Sequence, residues 1–114
     1  MTSRVLIKSD GKVFLVKQQE IDFVEAAGNY ANVCLGSVSL FTRSSLNRLA
    51  ALLSPDRFVR IHRSAIVNLE RVREIHPLFH GDCELVLSDD TRVRLSRTRR
   101  CEFDRVFAAA TGRT

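Results

Sequence analysis

Almost every stretch of this sequence carries its apolar residues in short or alternating runs that stop at Gly, Asp, Asn or Ser, which is the pattern of short antiparallel strands joined by tight turns. Val5-Leu6-Ile7 and Val13-Phe14-Leu15-Val16 flank Ser9-Asp10-Gly11, and an Asp-Gly pair between apolar runs predicts a hairpin. Ile21 to Glu25 alternates. Ala27-Gly28-Asn29 then turns the chain into Tyr30 to Leu35, and Gly36-Ser37 turns it again into Val38 to Thr42. Strand-like stretches resume at Phe58 to Ile61, Ala65 to Leu69, Val72 to Ile75, Glu84 to Leu87 and Thr91 to Leu95, the last with Val93 and Leu95 facing one way and Arg92 and Arg94 the other. Two segments change period. Leu46, Leu49, Leu52 and Leu53 recur at helical spacing, with Ser44 or Ser45 as N-cap and Ser54-Pro55-Asp56 as the stop. A C-terminal helix is predicted with Ser96 or Thr98 as its cap and Phe103, Val106, Phe107 and Ala110 as its buried stripe.

At 114 residues the chain is one domain's worth, with an expected radius of gyration of about 13 Å, and it should fold without disulfide staples. No apolar run approaches the ~20 residues that span a bilayer, and the opening Met1 to Lys8 meets Lys8 and Asp10 before a signal-peptide core forms, so a cytoplasmic protein is expected. Cys34, Cys83 and Cys101 are odd in number and widely spaced, which suits reduced packing residues; a redox role is the minority alternative.

The net charge of +5 is unevenly placed. Residues 1 to 56 carry six Lys+Arg against five acids, whereas residues 57 to 114 carry twelve against eight, and all twelve are Arg. Guanidinium presents a planar fork of donors that matches phosphate oxygens and the guanine edge, so an arginine-only basic half leans toward nucleic acid. A merely solvated basic surface is the competing reading.

Tests for catalysis and cofactors find little. Ser64 shares a strand face with His62, but no spacing supplies the carboxylate that orients a nucleophilic triad. His76, His80 and Cys83 imitate metal spacing, yet a structural zinc needs a fourth ligand, and exposed loop histidines beside Pro77 and Gly81 are the simpler reading. Neither a phosphate loop nor a dinucleotide fingerprint is present, so no cofactor is expected. The informative stretch is Phe58-Val59-Arg60-Ile61-His62-Arg63-Ser64-Ala65-Ile66-Val67-Asn68, where Arg60, His62 and Ser64 share a face and Arg63 falls where the alternation slips and a bend is expected. Such a crowd of cationic and hydroxyl groups suits phosphate contacts, and an Arg projecting from a bend can enter a groove. A charged sheet face with a packed His62 is the alternative.

The order Ile21-Asp22-Phe23-Val24-Glu25-Ala26-Ala27-Gly28-Asn29-Tyr30, then Arg43-Ser44-Ser45-Leu46, then the F-x-R-x-H-R-S-x-x-V-N stretch, then Leu95-Ser96-Arg97 closely resembles the LytTR DNA-binding domain, over about residues 13 to 108. Residues 1–12 form a lead-in and 109–114 a tail. The resemblance implies a mostly β fold of about ten short strands in three antiparallel sheets with one short internal helix, to which the periodicity adds a C-terminal helix. It also implies double-stranded DNA held by loops that reach into successive major grooves. The Gly28-Asn29-Tyr30-Ala31 turn and the segment around Ser96-Arg97 would enter the grooves, with His62-Arg63-Ser64 on the backbone between them.

On that implication Arg97 reads a base, because a bidentate fork to guanine is worth about 1 to 3 kcal/mol of discrimination. Its alternative is a phosphate clamp. Arg63, His62 and Ser64 contact phosphate or sugar, supported by Arg60 and Arg99, and Asn29 reaches an adenine edge. Family members often carry a polar side chain where this chain has Ala31, so that loop touches a thymine methyl or passes its role to Asn29 or Asn32. For Tyr30, packing on the sheet is favoured over base stacking, and Asn68 reads as a turn residue bonding its own backbone.

The resemblance thus implies sequence-specific DNA binding in transcriptional regulation, with two copies on a repeated site and an upstream receiver or sensor as partner. A second hypothesis is a protein interaction module whose Arg-rich face takes an acidic partner. Single-stranded RNA binding ranks below both, because most of the seven Phe fall at core-phase positions.

Overall fold

A computed structural model describes residues 4–112. Ten strands form three antiparallel sheets. The first is a hairpin of β1 (Arg4–Ser9) and β2 (Lys12–Lys17) whose two-residue turn, Asp10 and Gly11, has positive φ at both positions. That is the geometry an Asp-Gly pair favours and the one whose twist matches the flanking strands. The second sheet has the order β5-β4-β3-β7-β6, built from β3 (Phe23–Ala27), β4 (Tyr30–Leu35), β5 (Val38–Thr42), β6 (Phe58–His62) and β7 (Ala65–Asn68). The third has the order β10-β9-β8, from β8 (Val72–Pro77), β9 (Cys83–Leu87) and β10 (Arg92–Leu95). Helix α1 (Leu46–Leu52) interrupts the strands and α2 (Arg100–Ala110) closes the chain. The radius of gyration is 13.8 Å.

The five-stranded sheet is covered on both faces. On one side Val24, Val33 and Ile66 meet the inward residues of the first hairpin, Val5, Ile7 and Val16, and the apolar side of α1, Leu46 and Leu49. On the other, Val59, Ile61 and Val67 meet Leu85, Leu87 and Leu95 of the third sheet and Phe103 and Val106 of α2. Phe103 is fully buried and stacks on Phe107, with ring centroids 5.5 Å apart. Alternate residues of one sheet thus feed two cores, which locks the register of its central strands.

The sequence reading needs adjustment at several points. Ile21 and Asp22 precede β3 and follow a 3-10 turn at Gln18–Glu20, because buried Asp22 accepts the backbone N–H of Gly36 at 2.7 Å and pairs with Arg71 at 3.1 Å. Of the two proposed caps for α1 it is Ser45 that accepts the Arg48 N–H, at 3.2 Å. Neither Ser96 nor Thr98 caps α2: Ser96 caps the 3-10 turn Arg97–Arg99 that precedes it, and Ala110 is exposed at the helix end. Asn68 bonds its own backbone, accepting the Glu70 N–H at 3.0 Å, and also donates to the Ile21 carbonyl at 2.8 Å. Cys34 and Cys83 are buried packing residues, but Cys101 is exposed. Burial, followed by the charge of Glu25, pushes the Cys34 thiol up to about 11. His76 sits on β8 with Nε2 2.8 Å from Glu74 Oε1, rather than in a loop. Among the described residues no helix is long and apolar enough to cross a membrane. Met1, whose neighbours bear on the signal-peptide reading, lies outside the described residues.

Candidate nucleic-acid interface

Three bends lie at one end of the fold: the β3–β4 turn at Gly28 and Asn29, the β6–β7 turn at Arg63 and Ser64, and the β10–α2 junction from Ser96 to Arg99. Gly28 takes φ +63, a left-handed backbone that a Cβ would strain. Backbone hydrogen bonds staple the bends together. Ala26 N–H donates to the Ser64 carbonyl at 2.8 Å, and Ser96 N–H donates to the Ile61 carbonyl at 2.8 Å. The middle bend is the slipped alternation seen in the sequence: the β6–β7 register shifts between Arg60 and His62, and the extra residue sharpens the turn.

Arg60 holds that turn in shape. Its Nε donates to the His62 carbonyl at 3.1 Å, Nη2 to the Arg63 carbonyl at 2.6 Å, and Nη1 to Asn47 Oδ1 on α1 at 2.9 Å. His62 adds a fourth tie, its Nδ1 accepting the Ser64 N–H at 3.0 Å. That bond places the neutral ring's proton on Nε2. Burial, then the charge of Arg60, lowers the His62 pKa, with Arg63 and Arg94 acting in the same sense and Glu25 opposing. Arg60 is itself pushed down by burial and by the charge of Arg99. Positive charge therefore outweighs the opposing charge of Glu25 at this turn.

Arg43, Arg48, Arg63, Arg97 and Arg99 form no ion pair among the described residues. An open groove of about 570 Å³ runs between the β3–β4 turn and the entry to α1, walled by Tyr30, Arg43, Arg48, Arg60 and Arg63, and no carboxylate lines it. Guanidinium groups held on stapled backbone without acid partners can do one thing well: hold a polyanion.

Most of the sequence-proposed residues meet at this end. Asn29, Tyr30, Arg60 and Arg63 share the groove; His62 and Ser64 belong to the adjoining turn, and Arg97 and Arg99 to the neighbouring junction. Two expectations fail. Ala31 is only 1% exposed and packs in the core with Val33, so its side chain has no surface for a thymine methyl. Tyr30 is 45% exposed rather than packed away, because the turn ends one residue before it and it stands at the open end of a face whose other end, at Cys34, is buried. Asn32 lies inside β4 opposite Glu25 and Phe41, with a buried Oδ1 that has no hydrogen-bond partner, so it cannot serve the turn. Arg43, Asn47 and Arg48 were absent from the sequence-proposed set; the signal was the Arg43-Ser44-Ser45-Leu46 segment, whose flanking cations are exposed.

Taken together, scaffold and site define a β-built domain with arginines that form no ion pair, among the described residues, clustered at its bends. The chain belongs to the LytTR family: the model of the LytTr DNA-binding domain matches residues 11–108. It is 26% identical to the transcriptional regulatory protein LytR of Staphylococcus aureus over 93% of this chain and 42% of that protein. It is 28% identical to the sensory transduction protein LytT of Bacillus subtilis over 75% of this chain and 36% of that protein. The chain thus spans about two-fifths of the length of the curated relatives it matches. Among solved structures it resembles the LytTr DNA-binding domain of a Bacillus cereus response regulator, with a TM-score of 0.82, 26% identity, and coverage of 93% of this chain and 97% of that one.

Proposed function

We propose that this domain binds double-stranded DNA with sequence preference and serves transcriptional regulation in the cytoplasm. In this reading the β3–β4 turn and the β10–α2 junction enter successive major grooves, and the Arg63–Ser64 turn rides the backbone between them. Arg97 reads a guanine edge, Asn29 an adenine edge, and Arg63, His62 and Ser64 take phosphate or sugar. Arg43 and Arg48 add phosphate contacts beside Tyr30, and Arg60 and Arg99 support the turn. Two copies occupy a repeated site, and an upstream receiver or sensor provides the input, in keeping with relatives named for sensory transduction. The observation that carries the reading is the set of arginine side chains that form no ion pair among the described residues, on or beside three bends joined in series by backbone hydrogen bonds. Equilibrium titration of duplexes selected from a random pool, repeated across salt concentrations, tests it. Affinity should fall with a log-log slope of about −0.9 for each phosphate neutralised. A shallow slope with no preference among duplexes points instead to an acidic protein as the partner of this face.

A further inference from the structure

Phe79 is 88% exposed, the most exposed of the large apolar side chains, and no core residue explains its place. It stands at the tip of the β8–β9 connection, within the 3-10 turn Phe79–Gly81, where His80 (φ +63) and Gly81 (φ +86) both take left-handed backbone. The loop is closed at its base by the Leu78 N–H donating to the Asp82 carbonyl at 2.8 Å. Its tip is therefore a built shape, not a slack excursion.

That tip shares a mount with Arg97. Cys83 pairs with Leu95 across the β9–β10 ladder, so the residues just before Cys83 lie beside those just after Leu95. Asp82 Oδ1 accepts the Arg97 N–H at 2.9 Å, and its other oxygen lies 3.5 Å from Arg94 Nη1. Gly81 is pressed so closely that a Cβ there would come within 3.3 Å of Arg97 Cβ. One carboxylate thus fixes the Arg97 backbone and the loop at once, while the Arg97 guanidinium forms no ion pair.

We infer that Phe79 is an apolar contact to the DNA duplex, packing its ring on sugar and base edge in the groove next to the Arg97 contact. This inference rests on the DNA-binding reading above. Apolar side chains wedged against base edges or thymine methyls add affinity that cations cannot, and they release no counterions. An aromatic ring two residues from the Gly81–Arg97 contact is placed to touch the duplex there, and the duplex covers its exposed face.

The test uses the whole chain and a pool-selected duplex. Phe79→Ala should weaken binding about tenfold, the size expected for losing a buried aromatic face, with the salt slope unchanged. Arg97→Ala should instead relax the preference among duplexes. Phe79→Trp gives this tryptophan-free chain a single reporter, whose emission should change on saturation with duplex. Because the side chain is exposed, all three variants should melt like the parent. If the parent binds duplex with a steep salt slope while Phe79→Ala binds equally well and the tryptophan emission does not respond, the inference is overturned and the DNA reading stands. If the parent fails to bind duplex at all, both fall together. Loss of self-association in Phe79→Ala with unchanged DNA affinity also overturns it, assigning the ring to a second copy.

Discussion

The two arginine-rich regions of this molecule use the same side chain in opposite ways. In the third sheet and α2, guanidinium groups are neutralised by carboxylates across strands or along the helix: Arg73 with Asp90 at 2.7 Å, Arg92 with Glu84 at 2.8 Å, and Arg105 with Glu102 at 2.6 Å. At the end where the three stapled bends lie, the side chains of Arg43, Arg48, Arg63, Arg97 and Arg99 form no ion pair among the described residues, and Arg60 is spent on carbonyls and Asn47. Paired surface arginines contribute little to stability and present little field. Unpaired ones cost repulsion in the free protein, as at Arg60, which burial and then the charge of Arg99 push down, and a polyanion would relieve it. Local pairing, and not the tally of basic residues, distinguishes the proposed DNA face from the rest of the surface.

Substitutions can break this contrast or sharpen it. The largest effect is expected at Arg97→Ala, which should cost about 1 to 3 kcal/mol of binding to the preferred duplex, with less loss on other duplexes. Equal loss on all duplexes, measured by anisotropy titration, would make Arg97 a phosphate clamp instead of a base reader. Arg60→Ala should come next. Removing hydrogen bonds to two carbonyls and Asn47 should lower stability by about 1 to 2 kcal/mol in denaturant unfolding, and weaken binding through the loosened Arg63 turn. Arg73→Ala and Arg92→Ala should each change stability by less than ~1 kcal/mol and leave duplex affinity unchanged.

The smallest effect belongs to His62. Its folded pKa lies below the ordinary histidine value near 6.5, so the unfolded chain takes up its proton first as pH falls. The stability this provides is complete above that ordinary value and is lost as pH drops through the lower folded value, where protonated Nδ1 can no longer accept from Ser64. His62→Gln should remove that part of the pH dependence, as read by unfolding midpoints across the acid range.

What the sequence revealed was local. Strand periods, the Asp10-Gly11 hairpin and the α1 cap, at one of the two serines proposed, depend on neighbours a few residues apart, and the structure follows them except where β3 starts at Phe23. Even the misassigned Ala31 was legible, since it shares the parity of Val33 and so belongs to the core face of β4. The arginine pairing was not legible. Arg73 and Asp90 are 17 residues apart, and Arg94 and Asp82 are 12 apart, so only the strand register brings them together. The same register sets Gly81 against Arg97 and leaves five arginine side chains without an ion pair among the described residues, which no count along the chain could have shown.

The central claim, that the unpaired arginines and not the paired ones meet the double helix, is tested most directly by the salt dependence of duplex binding in two double variants. Arg43→Ala with Arg63→Ala, two proposed phosphate contacts, should flatten the log-log slope by roughly 0.9 each, whereas Arg73→Ala with Arg92→Ala should leave it at the parent value. Equal slopes for both double variants, or a greater loss in the second, would contradict the account.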